Sequence, residues 1–388
     1  MPNITLTEAK RGKFDEFFTQ YHDIEKEISA YLEFNPDVFR GKTVLLPCDD
    51  PEWSNFTRFF AQNFDKFGLK KLISTSYAVE SKTHKIVLQP SLLEIRDEKY
   101  DKVKTNINGK IFSLTIDKTG DHKVDVDDLE WHYLSGDGDF RSPEIKALRD
   151  EADIIITNPP FSLFREFLAW IMEAGKQLSI IGNMNAITYK EVFPLIKENK
   201  IWLGPSISSG DREFEVPDEY PLNAAGWRID EKGRKFLRIK GVRWFTNLDH
   251  GRRHQPLSLM TMADNLKYSK HKEIKGKKAY IRYDNYDAIE VPFTDAIPSD
   301  YDGVMGVPIS FLDKYSPEQF EILGMCENLD LYKLKTKVYS SEECKKAYLA
   351  KFGKNGTYDL NASGVVLKNG LLEKVYQRVL IRHRKSTK

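Results

Sequence analysis

"IIITNPPFSLFREF", Ile154 to Phe167, decides how the chain is read. Three isoleucines and a threonine make a β-branched run that suits a buried strand. An amide, two prolines and an aromatic ring follow, where the strand must end. The chain then resumes as an amphipathic helix, "FSLFREFLAWIMEAG", closed by Gly175. Strand, tight turn and helix in this order form the unit from which parallel sheets are built.

The same unit recurs on both sides. Upstream, Phe17, Tyr21, Ile24, Ile28, Tyr31 and Leu32 mark one face of a helix within residues 14–34. "GKTVLLPCDD" (41–50) reads as a strand, "NFTRFFAQNFDKFG" (55–68) as a helix and "KLISTSYA" (71–78) as a strand. Residues 80–132 alternate and carry the turn signals Asn108-Gly109 and Thr119-Gly120, which predicts an inserted hairpin region. Residues 144–151 read as a helix. Downstream come a strand in "QLSIIGN", a helix in "TYKEVFPLIKEN" and strands in "KIWLG" and "VRWFTNL" (242–248). The expected fold is α/β, a doubly wound and mostly parallel sheet over residues 1–248. In such sheets ligands sit beyond the carboxyl ends of the strands. "CDDP" and "NPPF" both occupy such ends and should meet in one cleft. From 249 to 388 the periodicity weakens, and a second module is expected, with one helix at 316–323.

The 388 residues exceed one typical core. No run approaches the roughly eighteen apolar residues of a membrane span. The polar start "MPNITLTEAKRGKFDEFF" has no apolar signal core. Cys48, Cys326 and Cys344 are far apart and show no zinc spacing, so a reducing cytoplasm is expected and no metal. The net charge of +1 hides a local imbalance. Residues 228–282 carry sixteen Lys/Arg against five Asp/Glu, and residues 374–388 carry six Lys/Arg and no acid. Aromatics lie among these bases, at Trp227, Phe236, Trp244, Phe245, Tyr268, Tyr280 and Tyr283. That pattern fits a face that meets a polyanion, against the bland reading of a solvated charged surface. The acidic stretch 117–130 has His122 where a calcium loop needs Gly, and reads as a solvated loop.

Asn158 and the carbonyl after it can both accept hydrogen bonds, which suits a donor with two N–H groups. Proline fixes φ and removes a competing N–H. Phe161 offers a stacking face, and a flipped nucleobase needs this combination. A bare Asn-Pro would be a turn and nothing more.

With these residues in view, the chain resembles the class I, S-adenosylmethionine-dependent amino-methyltransferases, whose signature is Asp/Asn/Ser-Pro-Pro-aromatic. More narrowly it resembles the EcoRI-type adenine-specific DNA methyltransferases, through "DEFFTQYHDIEKEI", "LLPCDDPEWSNFTRFFAQNFDKFGLKKLI", "GDGDFRSPEI", "IIITNPPFSLFREF", "WFTNLDHGRRH" and "DYDGVMGVPISFLDKYSPEQFEILG". The resemblance implies a Rossmann-like sheet with a C-terminal target-recognition module over 249–388. It implies methyl transfer to N6 of adenine in a specific DNA sequence, as the modification enzyme of a restriction-modification or related system. Asn158, Pro159, Pro160 and Phe161 would be catalytic. Phe18, Thr19, Cys48, Asp49, Asp50, Asn55, Phe56, Ser76, Asp137, Asp139 and Phe140 would bind the cofactor, with Asp49 and Asp50 as candidates for its ammonium group. Arg252, Arg253 and His254 would contact double-stranded DNA, and a cognate restriction endonuclease is a candidate partner. The first cofactor motif lacks the usual glycines, and "FFTQ" has Gln20 where related enzymes carry Pro. RNA adenine or a protein glutamine presents the same kind of amine. A decayed methyltransferase fold that only binds DNA is the remaining alternative.

Overall fold

The computed structural model describes residues 18–47, 49–51, 54–78, 99–208, 211–216 and 226–385. The chain divides into two compact units, Met1–Ile196 with Lys200–Gly251, and Lys197–Asn199 with Arg252–Lys388.

In the first unit, α1 (Tyr21–Phe34) precedes β1 (Thr43–Leu46). Next come α2 (Asn55–Gln62), α3 (Phe64–Phe67) and β2 (Lys71–Ser76). The expected single helix over 55–68 is thus two short ones, and Gly68 at φ +64° ends the second. Short α4 (Lys102–Ile107) leads into β3 (Lys110–Leu114) and β4 (Glu130–Tyr133). Then α5 (Pro143–Glu151), β5 (Ile154–Thr157), α6 (Phe164–Glu173) and β6 (Gln177–Asn183) follow. Ser142 caps α5 with Pro143 in its first turn, a position that needs no backbone N–H. The helix predicted in "TYKEVFPLIKEN" shrinks to α7 (Phe193–Lys197), and Asn199 at φ +59° follows it. The unit closes with β7 (Trp202–Leu203), β8 (Asp211–Val216), β9 (Trp227–Ile229), β10 (Lys235–Lys240) and β11 (Val242–Thr246).

The large sheet runs β4-β3-β2-β1-β5-β6-β11-β7. Strands β2, β1, β5 and β6 are parallel. Strands β3, β4 and β11 are joined by antiparallel pairings. The sheet is therefore mixed, which corrects the expectation of a mostly parallel one. Two hairpin-like additions flank a four-stranded parallel block. Within the expected hairpin region over 80–132, β3 and β4 pair antiparallel and extend the main sheet, burying Ile111, Phe112 and Leu114. Residues 80–98 of that stretch lie outside the described residues.

All four residues of β5 are buried, as a central parallel strand requires. Around β1 the core is aromatic: Phe39, Phe56, Phe59, Phe60, Phe67 and Trp244 make ring contacts with centroids 5.4–6.0 Å apart. A separate sheet, β8-β10-β9, has no counterpart among the sequence expectations. By sequence β10 and most of β9 fall in the basic stretch 228–282, and β8 carries no expectation.

The second unit holds α8 (Met262–Tyr268), β12 (Ala288–Glu290), β13 (Val304–Pro308), β14 (Phe320–Met325), α9 (Ser341–Phe352), β15 (Val365–Lys368), β16 (Leu371–Lys374) and β17 (Arg378–His383). A four-stranded sheet runs β12-β13-β17-β14. The helix predicted at 316–323 is instead the start of β14. Phe320 and Ile322 are buried with Glu321 between them, a period of two that pairs with β17.

Candidate active site

The order of strands places the site. Strand β1 pairs with β2 on one side and with β5 on the other. The order in which strands are added to the sheet reverses there, and the carboxyl ends of the parallel β1 and β5 open side by side. Asp49 follows β1 and Asn158 follows β5. Strand β4 reaches the same edge, because two antiparallel pairings, β2 with β3 and β3 with β4, return it to the direction of β2. The loop after β4 is tied there by Ala78 N–H donating to the Asp137 carbonyl (2.8 Å) and Gly109 N–H to the Gly136 carbonyl (2.9 Å). Gly138 has φ +91°, and a Cβ on it would lie 2.4 Å from the Ser76 carbonyl. Only glycine fits that approach.

The turn after β1 is held by hydroxyl groups. Asp49 is buried, and its Oδ1 accepts from Ser54 Oγ at 2.8 Å. Its Oδ2 lies 2.6 Å from Thr157 Oγ1. Thr157 Oγ1 also lies 2.9 Å from the Pro47 carbonyl. The Asp49 carbonyl accepts from Thr57 Oγ1 (2.9 Å) and from Ser74 Oγ. Ser54 caps α2 through the Phe56 and Thr57 amides. Burial raises the Asp49 carboxyl to about 7; the Thr157 and Ser54 hydroxyls pull it down and Asp50 pushes it up. Sequence reading missed Ser54, Thr57, Ser74 and Thr157. A Ser one residue before a helix, and a Thr directly before Asn-Pro-Pro, were the available signals.

Asn158 and Pro160 are half-buried and Pro159 is buried. The Pro160 carbonyl accepts the Leu163 N–H at 2.9 Å and starts the turn Phe161–Leu163. Phe161 is half-buried and packs against the edge of the aromatic core.

The other predicted residues divide into two groups. Thr19 lies just before α1, Asp50 and Asn55 follow β1, and Asp137 lies in the loop after β4. Asn55 Nδ2 donates to the Thr19 carbonyl at 2.7 Å. Phe18 exchanges backbone hydrogen bonds with Glu215 of β8, at 3.0 and 3.2 Å. The buried Thr19 Oγ1 and Gln20 Nε2 have no protein partner among the described residues. A site that leaves such atoms unmatched fits a polar ligand such as S-adenosylmethionine. Phe56 and Phe140 instead point into the core. Phe56 meets Trp244, and Phe140 meets Phe167 and Trp170 at 5.1 and 5.6 Å. Asp139 is bound by Arg141 at 2.8 and 2.5 Å, and those hydrogen bonds hold its carboxyl low. Asp137 forms no ion pair among the described residues. Ser76 is buried at the end of β2. Cys48 lies outside the described residues, and Cys326 and Cys344 are buried free thiols.

Among the three predicted DNA contacts, Arg253 is buried and donates to Asn199 Oδ1. His254 Nδ1 sits 2.8 Å from Glu318 Oε1, and Arg252 is half-buried. The basic tail is likewise engaged: Arg378 is buried against Glu290 at 2.6 Å and Arg382 meets Glu321 at 2.8 Å. Lys267, Lys272, Lys275, Lys277 and Lys278 are exposed, beside the exposed Tyr268. In the acidic stretch, Asp117 and Asp128 accept backbone N–H groups of their own loop.

Comparison with known proteins shows the family. The family described as "Adenine-specific methyltransferase EcoRI" matches residues 5–384. The chain belongs to that family. This methyltransferase is 44% identical to the Type II methyltransferase M.EcoRI of Escherichia coli over 328 residues, 84% of this chain and 91% of that one. It is 32% identical to the Type II methyltransferase M.MpnI of Mycoplasma pneumoniae over 338 residues, 85% and 89% of the two chains. It is 33% identical to the Type II methyltransferase M.MgeORF184P of Mycoplasma genitalium, over 82% and 86%. No solved structure matches it. No helix among its described residues is long and apolar enough to cross a membrane.

Proposed function

We propose that this methyltransferase modifies N6 of an adenine within a specific double-stranded DNA sequence, using S-adenosylmethionine, after the base leaves the helix. The observation that carries the reading is the pairing of β1 with β5, which sets the acidic turn and the Asn-Pro-Pro-Phe turn side by side. The large sheet is then a Rossmann-like class I methyltransferase sheet, and residues 252–388 are its target-recognition unit. Bound S-adenosylmethionine supplies an electrophilic methyl group. Thr19, Gln20 and Asp50 would hold its methionine part, and Asp137 its adenine. Asn158 Oδ1 and the Pro159 carbonyl would each accept one N6 hydrogen of the target base. The two prolines fix those acceptors, and Phe161 supports the ring face. Orientation and fixed dipoles carry the rate, with no side-chain base. The exposed lysines from 267 to 278 meet phosphates. A role in a restriction-modification system in the cytoplasm follows from the same reading, with a cognate endonuclease as partner.

The test is single-base sequencing of N6-methyladenine in duplex DNA treated with the protein and S-adenosylmethionine. Methylation at one recurring sequence is expected. Transfer only to RNA, or only to a glutamine peptide, would overturn the assignment of DNA.

A further inference from the structure

Thr157 has one hydroxyl proton and two acceptors within reach, the Pro47 carbonyl at 2.9 Å and Asp49 Oδ2 at 2.6 Å. It can donate to one of them. The second Asp49 oxygen already accepts from Ser54, whose own oxygen accepts two amides of α2. If Asp49 were ionised, the Thr157 proton would turn to the carboxylate, and the buried Pro47 carbonyl would lose its donor. If Asp49 carries a proton, Oδ2–H donates to Thr157 and Thr157 donates to Pro47. Every donor and acceptor in that chain is then matched. The carboxyl itself meets Ser54, the cap of α2, and Thr157 of β5, and the Asp49 backbone carbonyl beside it meets Thr57 of α2 and Ser74 of β2, all neutral hydroxyls. Asp49 forms no ion pair among the described residues. Asp50, the neighbouring titratable group, opposes its ionisation.

We propose that Asp49 is a positioning residue that works as a neutral carboxylic acid: its proton runs through Thr157 to Pro47 and locks the turn after β1 to the strand that carries Asn158. The proposal rests on the reading that these two strand ends form one site. Asp49 is then no partner for the cofactor's ammonium group, and Asp50 takes that place. Loss of the proton swings the Thr157 hydroxyl away from Pro47 and loosens the tie between donor and acceptor loops. A carboxyl titrating at about 7 makes that change accessible near neutrality.

Asp49→Asn separates the two roles. The amide offers an N–H to Thr157 and a carbonyl to Ser54, so it copies the neutral acid and cannot copy the carboxylate. The expected result is S-adenosylmethionine binding within about threefold of wild type, together with a kcat–pH profile that no longer changes near neutrality. Asp49→Ala should lower kcat at least about tenfold, and Asn should rescue most of that loss. A tenfold or greater loss of cofactor affinity in D49N, with circular dichroism unchanged, would overturn the proposal in favour of an ion pair. The infrared carbonyl band of a protonated buried carboxyl, present at about pH 6 in wild type and absent from D49N, reads the proton without activity. Its absence from wild type also overturns the proposal. Because this band needs no substrate, a wild-type protein that fails to methylate DNA would count against the function and leave the proton on Asp49 separately judged. Should Asp49→Ala fail to fold, Thr157→Val against Thr157→Ser gives the same comparison. Equal kcat–pH profiles for Val and Ser would sink the relay.

Discussion

Asn55 Nδ2 donates to the Thr19 carbonyl over 2.7 Å, joining the helix after the acidic turn to the N-terminal segment. That bond, with the backbone pairing of Phe18 and Glu215, holds Thr19 and Gln20, whose buried polar atoms have no protein partner among the described residues. Asn55→Ala removes a bond of about 1 kcal/mol. The expected effect is a severalfold weaker Kd for S-adenosylmethionine by calorimetry, with kcat at saturating cofactor little changed. An unchanged Kd would show that Thr19 and Gln20 lie outside the cofactor site.

Asn158→Ala should lower kcat by at least about 100-fold while cofactor affinity stays near wild type, since the proposed function gives the amide to the acceptor base. Single-turnover methylation and cofactor titration measure the two separately. Collapse of cofactor binding in a folded variant would reverse the assignment.

Phe161→Ala should weaken capture of the extruded adenine by roughly 1–3 kcal/mol. A fluorescent adenine analogue at the target position reports it. If neither wild type nor variant changes that fluorescence on binding, the base stays in the helix.

Wild-type stability should fall as pH rises through the Asp49 window. An unfolded aspartate titrates near about 3.9, and the folded Asp49 near about 7. Between those values the native chain holds a proton that the unfolded chain has released, so stability declines with pH and levels off above the window. D49N lacks this proton, and its Tm should gain on wild type from about pH 4 to about pH 7. Parallel Tm curves for the two proteins would contradict a raised Asp49.

Replacing Lys272, Lys275, Lys277 and Lys278 with Ala should flatten the salt dependence of DNA binding, by up to about 0.9 in log–log slope for each phosphate that is no longer neutralised. Arg253→Ala should act differently. Its guanidinium is buried, so the cost falls on stability, by about 1–3 kcal/mol, with the slope unchanged. Salt titrations and thermal melts of both variants distinguish the surface from the core.

The parallel block and its two turns were legible because β-branched runs and turn residues are local signals. Ile154–Thr157 and Thr43–Leu46 are short, apolar and followed by prolines or acids. What escaped the sequence depended on distant partners. Phe320 and Ile322 sit in a segment whose helix and strand readings differ only by the presence of β17. Arg253 and Arg378 read as surface cations, and only the fold shows them buried and bonded to Asn199 and Glu290. Phe56 and Phe140 carried motif positions but face the core, since a motif fixes a loop's place and leaves open which side of it a ring occupies. The hydroxyl network around Asp49 draws on four separate segments, and no spacing rule joins them.

The small sheet β8-β10-β9 leaves the large one after β7 and returns at β11, and those two strands are paired neighbours, Leu203 opposite Phe245. Its entry and exit therefore lie close together, with Gly204 N–H donating to the Trp244 carbonyl at 2.9 Å. Close ends of this kind let the outer part of the segment change in length without moving a strand of the parallel block. The constraints on any replacement are the edge of β8 that pairs with Phe18 and the side chains of Phe214 and Ile239, which pack on the main core. A graft that retains both keeps the N-terminal segment in place while the outer part is rewritten.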